Sequence, residues 1–244
     1  MIKRTLPAIF LLHIVLTNVC FAQPYSACWK AETKAPLVAL TFDDGPKPEY
    51  SLPILDILDK YCVKGTFFVV GKMVKLNQDI VYRMASSGHD VGNHTFSHTR
   101  LDMMDKSQID NELRLTNQIV EKITGIKPIF FRPPGGRFNQ LVLQEAHFHG
   151  LKTINWSLNA VDYTPHIDVP IAIIENKWEN IVEKVVSNAK PGDIILFHNG
   201  GEDTEKALPS IIEKLRQKGF RFVTVSELLG IETVYNKKQF VKLD

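Results

Sequence analysis

The feature that most constrains the fold is an alternation of short β-type runs with amphipathic helical segments, which begins after residue 36. Seven runs are rich in β-branched or aromatic residues: LVALTF, GTFFVV, HDVGNH, KPIFFR, KTINWSL, GDIILFH and FRFVTV. The helix-like segments between them lie near residues 51–62, 77–88, 107–124, 138–149, 176–190 and 204–218. Alternation of this kind indicates parallel strands joined by crossover helices.

The segment SQIDNELRLTNQIVEKITG gives the clearest helical pattern. Its apolar or small residues recur at helical spacing, and Gly125 supplies a stop signal. The residues that define this face are Ile109, Leu113, Thr116, Ile119, Val120 and Ile123.

The number of strand–helix units favours one barrel. About seven units fit into roughly 200 residues, and barrels of this type use ~250 residues for eight units. An open, doubly wound sheet is the alternative. No linker or low-complexity tract divides the chain, so we expect one α/β domain over residues 35–230, after an N-terminal arm (23–34) and before a C-terminal tail (231–244).

The N-terminus, MIKRTLPAIFLLHIVLTNVCFAQ, is typical of a secretory signal peptide. Lys3 and Arg4 precede a mostly apolar stretch, and small residues precede Gln23. A membrane helix is the alternative, but the stretch is short for the ~20 residues that a span needs. We therefore expect residues 1–22 to be removed after Ala22 and the mature protein to be exported, without stable membrane insertion.

Composition excludes nucleic acid as a partner. The 29 basic and 27 acidic side chains give a net charge of +2, and no long basic block is present. After signal cleavage two cysteines remain, Cys28 and Cys62. They could form a disulfide in an oxidising compartment, or Cys62 could be a buried free thiol in its helical segment.

Polar residues with catalytic or ligand chemistry follow the predicted strands. In a parallel βα barrel the C-terminal strand ends share one face, where active sites lie. We therefore expect residues that are distant in sequence to meet there. The residues at these ends are Asp43, Asp44, His94, Arg132, Asp162 and His198.

The pentapeptide HTFSH indicates a metal site. His94 and His98 are four residues apart, so on one helical turn they would face the same way. Two imidazoles and one carboxylate form a site that leaves positions open for water and substrate, and Asp44 is the natural third ligand. Two surface histidines would be the alternative interpretation.

The motifs TFDDGP, HTFSH, RPPGG and IILFH, in this order and spacing, resemble the signature of the polysaccharide deacetylase family. This is the NodB-homology domain of carbohydrate esterase family 4. The resemblance implies a distorted (β/α)7 barrel over about residues 35–230. It also implies removal of acetyl groups, mostly from N-acetylglucosamine units of glycans, with a divalent metal that is commonly zinc but could be Co²⁺, Ni²⁺ or another first-row ion.

The resemblance also assigns roles to individual residues. It implies that Asp43 is the general base that activates a metal-bound water, while Asp44, His94 and His98 bind the metal. His198 would be the general acid that protonates the leaving amine. Two positioning roles complete this set: the resemblance implies that Arg132 pairs with the base, and that Asp162 accepts a hydrogen bond from the acid.

The fourth motif departs from the family pattern. The family has Asp-x-x-Asp-Trp, whereas this chain has NAVDY, with Asn159 in place of the first acid and Tyr163 in place of the tryptophan beside the substrate groove. Neither replaced position binds metal or transfers a proton, so activity is expected to survive. The resemblance places four residues at the groove: Tyr163, Leu196, Pro133 and Gly135.

Two other functions compete with amide hydrolysis. The same motifs could serve an O-acetyl ester hydrolase acting on xylan-type polysaccharides. A catalytically silent glycan-binding protein is the second competitor, but such a protein tends to lose the base or a ligand, and this chain retains them all. In each case the expected partner is an acetylated glycan and the expected state is a monomer.

Overall fold

The computed structural model describes residues 25–162 and 178–231. The strands within these ranges are β1 (Leu37–Gly45), β2 (Thr66–Val69), β3 (Asp90–Asn93), β4 (Phe130–Phe131), β5 (Lys152–Thr153), β6 (Leu158–Asn159), β7 (Ile194–His198) and β8 (Arg221–Phe222). The helices are α1 (Pro48–Lys60), α2 (Gly71–Leu76), α3 (Gln78–Ser86), α4 (Lys106–Thr124), α5 (Gln140–Phe148), α6 (Trp178–Asn188), α7 (Glu202–Gln217) and α8 (Val225–Leu228). The predicted signal peptide, Tyr163 and all but the first residue of the predicted C-terminal tail lie outside the described residues.

The strands form a curled parallel sheet. Seven of them follow the order β5-β4-β3-β2-β1-β7-β6, and β8 pairs with the start of β1. The two ends of this order belong to one extended segment, residues 152–159, which pairs with β4 at its start and with β7 at its end. The predicted single-domain α/β fold, a distorted (β/α)7 barrel of parallel strands, is confirmed.

The sequence-based elements differ from the observed ones in two respects. The predicted strand KTINWSL is divided into β5 and β6, because the segment changes its pairing partner midway. The helices α2 and α8 were not predicted, since stretches of six and four residues are too short to show a helical period. Each predicted helix lies within a few residues of an observed one.

Helix α4 begins and ends where its sequence chemistry dictates. Asp105 and Gln108 form a capping box in which each side chain accepts from the other's backbone N–H, and Gly125 ends the helix in the left-handed conformation. The predicted apolar face is buried except for Ile119, which is partly buried.

Strand periodicity decides which side chains face the barrel interior. The ring of Phe42 packs in the layer between strands and helices, with ring centroids 5.0 Å from Phe67 and 5.7 Å from Phe197. Successive residues on a strand face opposite sides, so Thr41 and Asp43 face inward. Burial of Phe42 on the outer face of β1 therefore helps to direct Asp43 into the barrel.

The two remaining cysteines form no disulfide in the described part of the chain. Cys62 is exposed just beyond the end of α1, so the expectation of a buried thiol at this position is wrong. Across residues 25–162 and 178–231, no helix has the length and apolar character needed to cross a bilayer.

Candidate active site

The C-terminal ends of β1, β3, β4, β6 and β7 place seven polar side chains around one mouth of the barrel. Asp43 and Asp44 lie near the end of β1, and Arg132 directly follows β4. Asp43 is paired in register with His198 at the end of β7. The loops after β3 and β6 carry the other three: His94, His98 and Asp162.

Asp44, His94 and His98 form a compact group of potential ligands. Asp44 Oδ1 lies 2.9 Å from His98 Nε2 and 3.3 Å from His94 Nε2. One donor atom from each residue lies within 4.8 Å of the other two. Two imidazole nitrogens and a carboxylate oxygen are a donor set that suits a divalent first-row metal ion, so the residues present fit such an ion.

The HTFSH loop (residues 94–98) is not helical, which contradicts the helical spacing argument for His94 and His98. Thr95 and His98 instead adopt left-handed backbone conformations, with φ values of 67° and 58°. In this conformation both imidazoles face Asp44. The histidines therefore converge through loop geometry rather than through an i, i+4 relationship.

Arg132 is completely buried and binds Asp43. Its Nη1 donates to Asp43 Oδ1 and to Thr41 Oγ1, both at 2.8 Å. Nε donates to the carbonyl of Ile154 at 3.2 Å, and Nη2 donates to that of Asn155 at 3.0 Å. With donors used on three nitrogens, the guanidinium cannot rotate, and it holds the Asp43 carboxylate in one orientation.

The backbone of Arg132 orients His94. The Arg132 carbonyl oxygen lies 2.7 Å from His94 Nδ1. A carbonyl only accepts, so Nδ1 donates to it, and Nε2 is the ring nitrogen that faces Asp44. Arg132 thus positions the candidate base through its side chain and a candidate ligand through its backbone.

His198 is held by Asp162. Asp162 Oδ1 lies 2.9 Å from His198 Nδ1, and Asp162 Oδ2 accepts from the His198 backbone N–H at 2.7 Å. The hydroxyl of Thr204, on the first turn of α7, also donates to Oδ2, at 2.6 Å. The arrangement directs the Nδ1 proton of His198 to Asp162 and leaves Nε2 for other partners.

These contacts shift proton affinities in definite directions. Burial opposes protonation of His198, but the hydrogen bond to Asp162, together with the charges of Asp162, Asp43 and Asp44, raises its pKa above the usual value. Burial also opposes ionisation of Asp44, yet its bonds to the two histidines hold its pKa well below the usual range. The bond to Asp44 raises the pKa of His98 in turn.

Backbone strain is concentrated at this mouth of the barrel. Among the described residues, five non-glycine residues have positive φ, and only Cys62 lies away from the site. The other four are Asp44, Thr95, His98 and Val161. Each such residue costs about 1–3 kcal/mol and persists only where the surroundings enforce it. This distribution indicates a site whose geometry is maintained at the expense of stability.

The remaining predicted groove residues occupy different environments. Leu196 is buried two residues before His198 and therefore lies on the same strand face. Pro133 is buried, while Gly135 is exposed in a turn with φ of 63°. Asn159 accepts from the Val161 N–H at 2.7 Å, so it holds the backbone turn that leads to Asp162.

Three supporting residues were missed by sequence reasoning: Thr41, Glu112 and Thr204. Thr41 could have been found, because it precedes Asp43 by two residues and so shares its strand face. Glu112, on α4, accepts from the N–H groups of Phe96 and Ser97 in the loop between the two histidines. Glu112 and Thr204 lie on helices and reach the site only through the tertiary fold, so no local signal marks them.

Comparison with known proteins identifies the family. The model for polysaccharide deacetylase matches residues 30–154. The chain is 39% identical over 204 residues to a peptidoglycan-N-acetylglucosamine deacetylase of Bacillus cereus, and the match covers 82% of this chain and 92% of that protein. The chain belongs to the polysaccharide deacetylase family. The resemblance inferred from the four motifs is confirmed.

Solved structures of polysaccharide deacetylase family members share this fold. The Bc1960 peptidoglycan N-acetylglucosamine deacetylase, crystallised with 4-naphthalen-1-yl-N-oxidanyl-benzamide, is 33% identical with a TM-score of 0.78, over 85% of this chain and 94% of that one. A CE4 family pseudoenzyme from Bacillus anthracis is 28% identical with a TM-score of 0.76, over 84% and 69% of the two chains. The polysaccharide deacetylase fold is thus found both in a deacetylase and in a pseudoenzyme.

Proposed function

We propose that this protein is a metal-dependent deacetylase that removes N-acetyl groups from N-acetylglucosamine units of an exported glycan, with peptidoglycan the first candidate. The observation that carries the proposal is the contact of Asp43, Arg132, Asp44, His94 and His98 at one mouth of the barrel. His198 and Asp162 complete the group from the adjoining strand β7 and the loop after β6.

The ligand group in this proposal is Asp44, His94 and His98. A divalent cation held there would polarise the acetyl carbonyl and make a water molecule more acidic. Zinc is the first candidate, because it is the metal that the family resemblance implies. Asp44 contributes a negative charge that the cation neutralises, so Asp43 beside it can remain ionised without facing a bare like charge.

The proton transfers are assigned to Asp43 and His198. Asp43 accepts a proton from the attacking water as the new C–O bond forms, while Arg132 holds its carboxylate in place. His198 donates a proton to the sugar nitrogen as the C–N bond breaks, which releases acetate and the free amine. Asp162 stabilises the protonated imidazole that this step consumes.

The same side chains are the basis for comparing the proposed function with its two competitors. A silent glycan-binding protein does not require a base, an acid and three ligand atoms in one pocket, whereas this chain retains all of them. Ester hydrolysis on acetylxylan would use the same base and metal, but an amine leaving group needs the acid more. The paired His198 and Asp162 therefore favour the amide substrate.

The substrate groove and the export route are also part of this proposal. Leu196 would line the pocket for the acetyl methyl group, and Pro133, Gly135 and Tyr163 would border the sugar. Cleavage after Ala22 would release the monomeric barrel beyond the cytoplasmic membrane, where peptidoglycan lies. Sequencing the N-terminus of the mature protein tests cleavage, and a mature chain that begins at Met1 contradicts it.

An acetate-release assay tests the function. The purified protein is incubated with peptidoglycan, chitooligosaccharides and acetylxylan, before and after chelation and after addition of Zn²⁺ or Co²⁺. The proposal expects release from the N-acetylated glycans that stops on chelation and returns with metal. Release from acetylxylan alone favours the esterase, and no release from any substrate with metal bound favours the silent protein.

A further inference from the structure

The HTFSH loop carries two of the three proposed ligands in a conformation that its own sequence does not favour. Thr95 and His98 are both left-handed, and neither is a glycine. Local bonds supply only part of the restraint: Asn93 Oδ1 accepts from the Thr95 N–H at 2.8 Å, and Thr95 Oγ1 accepts from the His98 N–H at 3.0 Å. Other parts of the fold must hold the loop in this shape.

One edge of the loop is bound by the N-terminus of α2. The N–H groups of Gly71 and Lys72 donate to the carbonyls of Thr95 and Phe96 at 3.0 and 2.9 Å. Gly71 is required for this approach, because a Cβ atom there would collide with the Phe96 ring and lie 2.7 Å from Thr116 Oγ1. These contacts satisfy the carbonyl groups of the loop.

The other edge is bound by a single carboxylate. Glu112 Oε2 accepts from the backbone N–H groups of Phe96 and Ser97, at 2.9 and 2.8 Å. Its Oε1 accepts from the Ser97 hydroxyl at 2.7 Å. Glu112 is half-buried on α4, and its carboxylate accepts three hydrogen bonds from the two residues that immediately precede His98, which fixes their positions.

The two proposed histidine ligands depend to different degrees on the hydrogen bonds between Glu112 and the loop. His94 is buried, and the Arg132 carbonyl holds its ring. The His98 side chain is 44% exposed, so less packing surrounds it, and its ring contacts Asp44. The position of its Nε2 therefore follows the backbone of the preceding residues, which Glu112 holds.

We propose that Glu112 is a positioning residue for metal binding, which acts by fixing the Phe96–Ser97 backbone and through it the ligand atom of His98. This inference rests on the metal site in the proposed function. It differs from a general electrostatic role, because it requires an acceptor oxygen within reach of the Phe96 and Ser97 N–H groups and does not require the negative charge itself.

Two conservative variants separate these roles. Glu112→Gln loses the charge but keeps an oxygen that can accept both N–H bonds. Glu112→Asp keeps the charge but withdraws the carboxylate by one methylene group. A positioning role predicts that Glu112→Gln binds metal more tightly than Glu112→Asp, whereas a role through charge alone predicts the reverse order.

The experiment measures Co²⁺ affinity of the metal-free protein by competition with a chromophoric chelator, alongside its thermal unfolding. We expect Glu112→Asp and Glu112→Ala to weaken binding by roughly 10- to 100-fold, the usual range for residues that orient metal ligands. Glu112→Gln should stay within a few-fold of wild type. Glu121→Ala, an exposed glutamate on the same helix, is the matched control and should change neither quantity.

The outcomes are separable from those of the proposed function. The proposal is overturned if Glu112→Asp has wild-type affinity or binds metal more tightly than Glu112→Gln. This comparison does not depend on Glu112→Ala, so the test remains valid even when that variant fails to fold. A wild-type protein that binds no Co²⁺ overturns the metal site and this inference together. A wild-type protein that binds Co²⁺ but releases no acetate overturns the proposed function alone.

Discussion

Asp43 and His198 are paired in register on the adjacent parallel strands β1 and β7. Neighbouring strands lie ~4.8 Å apart, and paired residues of a parallel ladder present their side chains on the same face. The candidate base and the candidate acid are therefore placed side by side by the sheet itself. Their orientation comes from elsewhere, since Arg132 holds Asp43 and Asp162 holds His198.

Replacement of Asp43 tests the base. Asp43→Asn should reduce acetate release by roughly 10²- to 10⁴-fold, the usual contribution of a positioned base. Metal content, measured by elemental analysis, should not change. Since Arg132 would keep a buried charge without its carboxylate, unfolding free energy should fall by up to ~3–5 kcal/mol, measured by denaturant titration. Asp79→Asn, on the surface of α3, is the control, and full activity in Asp43→Asn would remove the base assignment.

Replacement of Asp162 tests the role of His198 as general acid through the pH dependence of activity. The acid must be protonated to donate, so activity should decline as pH rises through the pKa of His198, which Asp162 holds above its ordinary value. Asp162→Asn should lower that pKa, and the alkaline limb of the kcat profile should move to lower pH. NMR titration of the His198 ring measures the same shift directly. Glu202→Gln removes an exposed charge from the first turn of α7 and should leave the limb in place, while an unmoved limb in Asp162→Asn contradicts the pairing.

Metal binding should weaken as pH falls. The Nε2 atoms of His94 and His98 must be unprotonated to bind a cation, and the contact with Asp44 raises the pKa of His98 in the metal-free protein. Protons should therefore compete with the metal for His98 once the pH falls to the raised pKa of this ring, which lies above the ordinary histidine value of about 6.5. Co²⁺ affinity measured between pH 8 and pH 5.5 checks this expectation, and an affinity independent of pH would exclude histidine ligands. Acetate release should be lost on chelation and recovered when metal is restored.

A buried histidine away from the site should make the fold acid-sensitive. His89 Nδ1 accepts from the Gly65 N–H at 3.0 Å, and burial lowers the pKa of this ring to about 3. The unfolded chain takes up a proton near pH 6.5, so between that value and about 3 it binds more protons than the folded state. Stability from this group is present above pH 6.5 and is lost progressively as pH falls.

The variant His89→Asn checks this linkage. Its amide oxygen can replace Nδ1 as the acceptor for Gly65 but does not titrate. The difference in unfolding free energy between pH 7 and pH 4.5, measured by urea titration, should be smaller in His89→Asn than in the wild type. His147→Asn changes an exposed histidine and should preserve the wild-type difference. Equal differences in all three proteins would mean that His89 does not contribute.

Most of the barrel was predictable because the sequence signals of its strands and helices lie within short segments. Strands such as IILFH show their β-branched and aromatic residues in consecutive positions, and α4 carries its capping box, its apolar face and its terminal glycine within one segment. The division of residues 152–159 into β5 and β6 was not predictable. It depends on which neighbour each half of the segment meets, and that is decided by closure of the sheet.

The sequence by itself determined the parallel βα order, and hence that polar residues at the strand ends, from Asp43 to His198, would share one face of the barrel. Periodicity and strand direction are sufficient for that conclusion. Tertiary structure alone decided the shape of the HTFSH loop, because Gly71 binds its Thr95 and Glu112 binds its Phe96 and Ser97, and both partners are distant in sequence. Hydrogen bonds between remote segments leave no periodic trace in the chain, so the residues that hold this site emerge only when the fold is seen.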